Sequence, residues 1–180
     1  MDRLVLRRLF ARRVAVALLI GGLLGCLGAT AQADSLRFPK TGSPAFLIDV
    51  HGGWSAHEDQ FNGIQIFPGD RSTMIYLSLV RDAKYKDRPL MELALAIGKE
   101  SNITSFPRQE AIVLSGRSGT AFFGEMKTAN GTELDVKMVI VPLEPDLWAT
   151  ETLLTARSAN AAQKSALGAA EHDVTLTGLK

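Results

Sequence analysis

Residues 112–141, IVLSGRSGTAFFGEMKTANGTELDVKMVIV, decide the fold because they place an Asn130-Gly131 pair between two runs of alternating polarity. Asn-Gly is a strong β-hairpin signal, since both residues tolerate a positive φ angle. A three-residue loop that ends at Gly131 sets Met126 opposite Leu134 on an apolar face. A two-residue loop would mix charged and apolar side chains on one face. The three-residue loop is therefore predicted, with Asn130 and Gly131 as structural anchors.

The same register brings two carboxylates, Glu125 and Asp135, opposite each other. Like charges in this position destabilise a sheet. Lys137 lies on the diagonal and is predicted to offset part of the repulsion. The functional alternative is a carboxylate pair that shares a proton. A solvent-exposed position with a lysine nearby favours a tolerated surface repulsion.

Residues 1–33 have the composition of a secretory signal peptide. Five arginines precede the apolar run from Val14 to Leu24. Ala31-Gln32-Ala33 then gives the small-x-small pattern of a cleavage site. We expect cleavage between Ala33 and Asp34, which predicts a periplasmic or secreted protein.

Two other fates of this leader stay open. Leu23-Leu24-Gly25-Cys26 resembles a bacterial lipobox, in which Cys26 would be lipidated and become the first mature residue. That reading predicts a membrane-anchored lipoprotein facing the periplasm, and membrane contact is expected only through this lipid. As a third reading, residues 14–33 carry no charge and are long enough to be retained as a bilayer-spanning anchor.

Without its leader the chain is mildly acidic and free of cysteine. Residues 1–33 hold five of the 20 basic residues, one of the 19 acidic residues and the single cysteine, so the remainder carries a net charge of −3. Interspersed charges of this balance argue against nucleic-acid binding, which needs a basic patch. A chain of ~150 residues buries ~70% of its unfolded surface and needs no disulfide. The predicted organisation is a signal peptide (1–33), an extended lead-in (34–44) and one domain (45–180).

Groups of strands alternate with helices along the mature chain. One helix begins near Pro89, and a second, alanine-rich helix is predicted from an N-cap at Ser158 to about Glu171. Short links between strands favour hairpins. The predicted fold is α+β: a mostly antiparallel twisted sheet of six or seven strands with two main helices packed on it. The face of the second helix expected to lie on the sheet consists of small residues: Ala159, Ala162, Ala166 and Ala170.

The order of these elements resembles a known fold. A strand that ends at Gly53-Trp54, a helix led by Asp87-Arg88-Pro89-Leu90 and a meander with the Asn130-Gly131 hairpin are together similar to the PsbP-like and Ran-binding Mog-like fold. Small exported bacterial proteins of the DcrB type look alike. The resemblance covers roughly residues 46–176. It implies a small accessory or binding domain that works through a partner, with no active site and no cofactor.

One motif points to catalysis. His51-Gly52-Gly53 resembles the oxyanion loop of α/β-hydrolases, whose glycines let backbone N–H groups face a developing negative charge. The partner motif, Gly-x-Ser-x-Gly at a strand-to-helix elbow, is not matched by residues 116–120, which lack the second glycine and precede a strand. A tight turn that folds Trp54 onto the core is favoured. The alternative, a small secreted serine hydrolase, requires a histidine within reach of a serine: His51 or His57 near Ser115 or Ser118.

Metal and anion sites have weaker support. The side chains able to ligate a metal are His51, His57, Glu58, Asp59, His172 and Asp173. Their spacing matches neither His-Glu-x-x-His nor a cysteine site, so no metal is predicted. Ser115 and Ser118 beside Arg117 could bind an anion through a nest of turn N–H groups, but a plain β-turn accounts for these residues equally well. The predicted function is an exported periplasmic accessory or binding domain without catalytic activity, acting through an unidentified protein partner or small ligand.

Overall fold

The structure, a computed structural model, describes residues 34–40, 45–50, 53–59 and 63–177. The predicted signal peptide with Cys26, and the His51-Gly52 pair, lie outside the described residues. The helices are α1 (Leu90–Glu100) and α2 (Ala161–His172), and a 3₁₀ turn spans Ala83–Tyr85. The strands are β1 (Asp34–Phe38), β2 (Phe46–Val50), β3 (Trp54–Glu58), β4 (Gly63–Pro68), β5 (Thr73–Arg81), β6 (Arg108–Leu114), β7 (Arg117–Lys127), β8 (Glu133–Glu144), β9 (Leu147–Ala156) and β10 (Val174–Leu176).

The strands form two antiparallel sheets. The large sheet has seven strands in the order β3-β4-β5-β9-β8-β7-β6, and the small sheet has three in the order β1-β2-β10. The α+β class with two helices on a large antiparallel sheet is confirmed. The small sheet was not predicted: β1 lies in the segment expected to be an extended lead-in, and β10 pairs with the distant β2.

The β7–β8 hairpin has the register expected for a three-residue loop. Met126 pairs with Leu134, and Glu125 pairs with Asp135. The N–H of Thr128 donates to the carbonyl of Thr132 at 2.9 Å, which closes the loop. Gly131 has a φ of 87°, the left-handed conformation that a side chain would strain.

The large sheet separates two hydrophobic cores. On one side α1 contributes Leu93 and Ala94 to a core that includes Phe122 and Trp148. On the other side α2 and the small sheet cover a core that includes Phe46, Ile48 and Leu167. The strands at the centre are apolar on both faces because each face is covered by a layer. Among the described residues, no helix is long and apolar enough to cross a bilayer.

Helix α2 differs from its prediction in two respects. Its N-cap is Asn160 rather than Ser158, because Asn160 Oδ1 accepts a hydrogen bond from the N–H of Gln163 at 3.0 Å, and Gln163 Oε1 accepts one from the N–H of Asn160 at 2.7 Å. This reciprocal capping box outcompetes a serine two residues earlier. Leu167, also expected on the packed face, lies against the sheet, and Ala170 is half-buried against the same core, whereas the predicted contact residues Ala162 and Ala166 are exposed.

The predicted compensation of Glu125 and Asp135 by Lys137 is also wrong. Arg157, just after β9, binds Asp135 through Nε at 3.0 Å, Glu133 through an amino group at 3.2 Å, and Glu125. Lys137 instead contacts Glu171 on α2. Arg157 thus offsets part of the negative charge at the loop end of the hairpin, where three carboxylates meet.

Candidate binding groove between α2 and the sheet

A row of side chains on the α2-facing side of the large sheet forms the floor of a groove. Phe123 on β7 pairs with Lys137 on β8, and Lys137 pairs with Leu153 on β9. Directly opposed residues of antiparallel strands point to the same face, so the three side chains lie side by side. Arg108 of the neighbouring strand β6 places its guanidinium 3.5 Å from the centre of the Phe123 ring.

Helix α2 supplies the wall. Lys164, Leu167, Gly168 and Glu171 are spaced by three and four residues and therefore share one helical face. Together with the floor they enclose a groove of about 330 Å³. This volume is at the lower end of the ~300–1,000 Å³ typical of small-molecule sites.

Gly168 keeps space open in this wall. Glycine inside a helix costs ~1 kcal/mol relative to alanine. A Cβ atom at Gly168 would meet no heavy atom within 4 Å, so packing does not require the glycine here. A large side chain at this position would project into unfilled space along the groove.

The charged groups of the groove are unevenly paired. Lys137 Nζ lies 2.5 Å from Glu171 Oε1, and Asp135 is held by Arg157 at 3.0 Å. Lys164 is exposed, and its ammonium has no ion-pair partner within the described part of the chain. One positive charge therefore remains on the wall.

Glu151 lies in the next row of the same floor. It pairs with Val139 on β8 and Leu77 on β5, all three side chains being buried. Neither of its carboxyl oxygens has a hydrogen-bond partner among the described residues. Burial raises the pKa of Glu151 to about 8, the negative charge of Glu171 adds to the rise, and the positive charge of Lys137 opposes it. The carboxyl is thus protonated and neutral at pH 7.

Two other cavities are smaller. One of about 170 Å³ lies on the opposite side of α2, lined by Trp54, Ile66 and Ala166. The other, of about 40 Å³, lies between α1 and the sheet, where the Ser78 and Thr150 hydroxyls are 2.7 Å apart. A space of about 40 Å³ holds water rather than a ligand. The groove beside Gly168 is the larger site.

The residues of the hydrolase alternative that the structure describes do not come together. His57 is on β3 and Ser118 is on β7, with four strands between them. At ~4.8 Å per strand the separation along the sheet is roughly 24 Å. Ser115 forms a two-residue β6–β7 turn with Gly116, both with positive φ, and its hydroxyl accepts the N–H of Leu176 at 2.9 Å. This turn therefore also holds β10 in place.

Other residues singled out in the sequence lie apart from the groove. Gly53 has a φ of 86°, and Trp54 begins β3 half-buried against the core beneath α2. Asp59 accepts hydrogen bonds from the Tyr76 hydroxyl at 2.9 Å and the Gly63 N–H at 3.0 Å. Within the described ranges, no three His, Cys, Asp or Glu side chains are grouped to hold a metal ion.

The groove was not predicted from the sequence. Its clearest signals were a glutamate at the centre of an otherwise uncharged strand, Glu151, and a lysine directly before the uncharged run of β8 at residues 138–143, Lys137. Neither signal says which side chains are neighbours, because the floor joins three strands and α2.

Comparison with known proteins defines the fold. The solution structure of cyanobacterial PsbP (CyanoP) from Synechocystis sp. PCC 6803 matches with a TM-score of 0.51 and 12% identity, over 86% of this chain and 99% of that chain. The Ran-binding protein Mog1p of Saccharomyces cerevisiae matches with a TM-score of 0.51 and 9% identity, over 83% and 97%. This chain has the PsbP/Mog1-like fold.

The resemblance inferred from the order of elements is thereby confirmed. LpqN of Mycobacterium tuberculosis, involved in cell envelope biogenesis, is also similar, with a TM-score of 0.49 and 15% identity over 82% of this chain and 91% of that chain. The sequence matches no family model and no curated protein. At identities this low the likeness establishes the fold alone.

Proposed function

We propose that this protein is an exported accessory domain that acts by binding, and that its binding site is the groove between α2 and strands β7, β8 and β9. The observation that carries the proposal is the groove itself: about 330 Å³, with Phe123 and Leu153 beside charged side chains and a glycine that leaves its centre open. Ligand sites combine apolar walls with a few charged or polar groups in this way.

Export is supported by the leader, in which a basic segment, an apolar run and the Ala31-Gln32-Ala33 site follow one another. Binding without catalysis is supported by the separation of His57 from Ser118 across four strands. The neighbour Mog1p is described as a Ran-binding protein, so the same fold serves binding elsewhere.

The test compares what the purified exported protein carries. Native mass spectrometry of the parent is expected to show a bound small molecule. Gly168→Trp, which fills the groove, is expected to lose it. Ala162→Trp is the matched control, because it adds the same side chain to an exposed position of the same helix. Retention of the bound mass by Gly168→Trp would assign the molecule to another surface.

An ester-hydrolysis screen of the parent addresses the hydrolase alternative. No turnover is expected. Turnover that disappears in His51→Ala or His57→Ala while both variants remain folded would replace the binding function with catalysis.

A further inference from the structure

Lys164, a charged side chain of the groove wall without an ion-pair partner among the described residues, indicates the class of ligand. We propose that the groove binds an anionic amphiphile, with the carboxylate at Lys164 and the apolar chain along Phe123, Leu153 and Leu167. This assignment rests on the proposed binding function and names the chemistry of its ligand.

The pairing of the charged side chains favours an anion beside Lys164. Glu171 is paired with Lys137, and Asp135 shares Arg157 with Glu125 and Glu133 at the hairpin loop. Glu151, in the next row of the floor, is shut off from solvent between Leu77 and Val139, and it is neutral at pH 7 because burial favours its protonated form. Lys164 is then the lysine of the groove without an opposite charge in contact, and a bound carboxylate would pair with it.

The apolar part of the ligand follows from the floor. Leu153 and Leu167 are buried and close the groove from below, and Phe123 is half-buried with one ring face covered by Arg108. Covering the exposed part of Phe123 with a hydrocarbon chain is favourable by ~25 cal/mol per Å² of apolar area removed from water. A purely polar anion such as inorganic phosphate would leave that part of the ring in water.

The geometry of α2 favours an extended ligand rather than a compact one. Lys164 and Glu171 lie two helical turns apart, so the groove side of α2 is about 10 Å long between them. Lys164 lies at the first of these positions, and Lys137 lies opposite Glu171 at the other. A chain of several methylene groups spans this length, with Gly168 leaving room along its path.

The experiment uses three probes that share one chain: octanoate, octylamine and octanol. Each is titrated at pH 7 into the full mature protein, with binding followed by isothermal calorimetry and by amide chemical shifts. Octanoate is expected to shift groove amides, including those of Gly168 and Leu153, and to bind about tenfold more tightly than octylamine.

Variants separate the parts of the proposal. Lys164→Gln is expected to weaken octanoate binding about tenfold and to leave octanol binding unchanged. Lys99→Gln, an exposed lysine at the end of α1, is the matched control and should bind octanoate as the parent does. Gly168→Trp should bind none of the three probes.

The outcomes distinguish the two proposals. Equal binding of octanoate and octylamine in the groove, insensitive to Lys164→Gln, would overturn the anion assignment while supporting a binding groove. Octanoate shifts confined to surfaces outside the groove would overturn the ligand assignment. If none of the three probes binds, the ligand assignment is also overturned. In that case a small molecule that copurifies with the parent but not with Gly168→Trp would still support the binding function.

Discussion

At the scale of single residues, Glu151 is expected to make the stability of this protein depend on pH. Its neighbours in the row, Val139 and Leu77, offer no hydrogen bond, and its carboxyl is shielded from water. The pKa of Glu151 is raised to about 8 in the folded state, against an ordinary value of 4.5. Between these two values the native carboxyl holds a proton that the unfolded chain has released.

The free energy of unfolding should therefore fall as pH rises from about 5 to about 8, by roughly 1 kcal/mol per pH unit. Below pH 4.5 the group contributes no slope because both states are protonated. Glu151→Gln removes the titration, so its unfolding curves in urea should be nearly independent of pH over this range. Glu110→Gln, at an exposed strand position, is the control. A slope that persists in Glu151→Gln would mean that another group titrates.

The two tryptophans make a second comparison at this scale. Trp148 is 3% exposed in the α1-side core, whereas Trp54 is half-buried beside the cavity of about 170 Å³ next to α2. Trp148→Ala should lower the free energy of unfolding by about 3–5 kcal/mol. Trp54→Ala should lower the free energy of unfolding by about half as much, because only part of the Trp54 indole is packed against other side chains. Equal losses in urea denaturation would show that Trp54 anchors the core as strongly as Trp148.

At the scale of secondary-structure elements, α2 is held on the sheet mainly by one buried side chain, Leu167. One of its faces borders the groove and the other borders the cavity near Trp54. The helix is therefore stabilised more by its capping box and by Leu167 than by close packing along its length.

Two helical glycines test this description. Gly168→Ala should stabilise the protein by about 0.5–1 kcal/mol, since its Cβ meets nothing within 4 Å. Gly98→Ala on α1 should be neutral or destabilising. Its Cβ would lie 3.1 Å from the Phe106 ring and 3.2 Å from Ile103. Thermal and urea unfolding of both variants provide the measurement, and destabilisation by Gly168→Ala would show that α2 packs more tightly than its open flank indicates.

At the scale of the whole molecule, residues 1–33 are predicted to direct the export of the domain. Intact mass of protein recovered from the periplasm is expected to correspond to a chain that starts at Asp34. A lipid-modified chain that starts at Cys26 would establish the anchored form instead. A mass that includes residues 1–33 would establish a retained leader.

Local patterns predicted the hairpin and the fold class, whereas the groove depends on distant contacts. The Asn130-Gly131 loop fixes its own register, because face polarity and turn geometry are encoded within one short segment. Arg157 reaches Glu125 only after β9 has paired with β8, and Glu151 is buried only when β5 and α2 close over it. Nothing in a single sequence reports these tertiary neighbours.

The small sheet can form completely only after β10 has been synthesised, because β10 pairs with β2. Ile48, near the start of the domain, pairs with Val174, near its end. Contacts this far apart in sequence form slowly, because a long loop must close first. At a synthesis rate of ~5–20 residues per second, β10 is synthesised roughly 6 to 25 s after β2. During that interval Phe46 and Ile48 lack the strand that pairs with them from the end of the domain, so the incomplete domain exposes apolar surface.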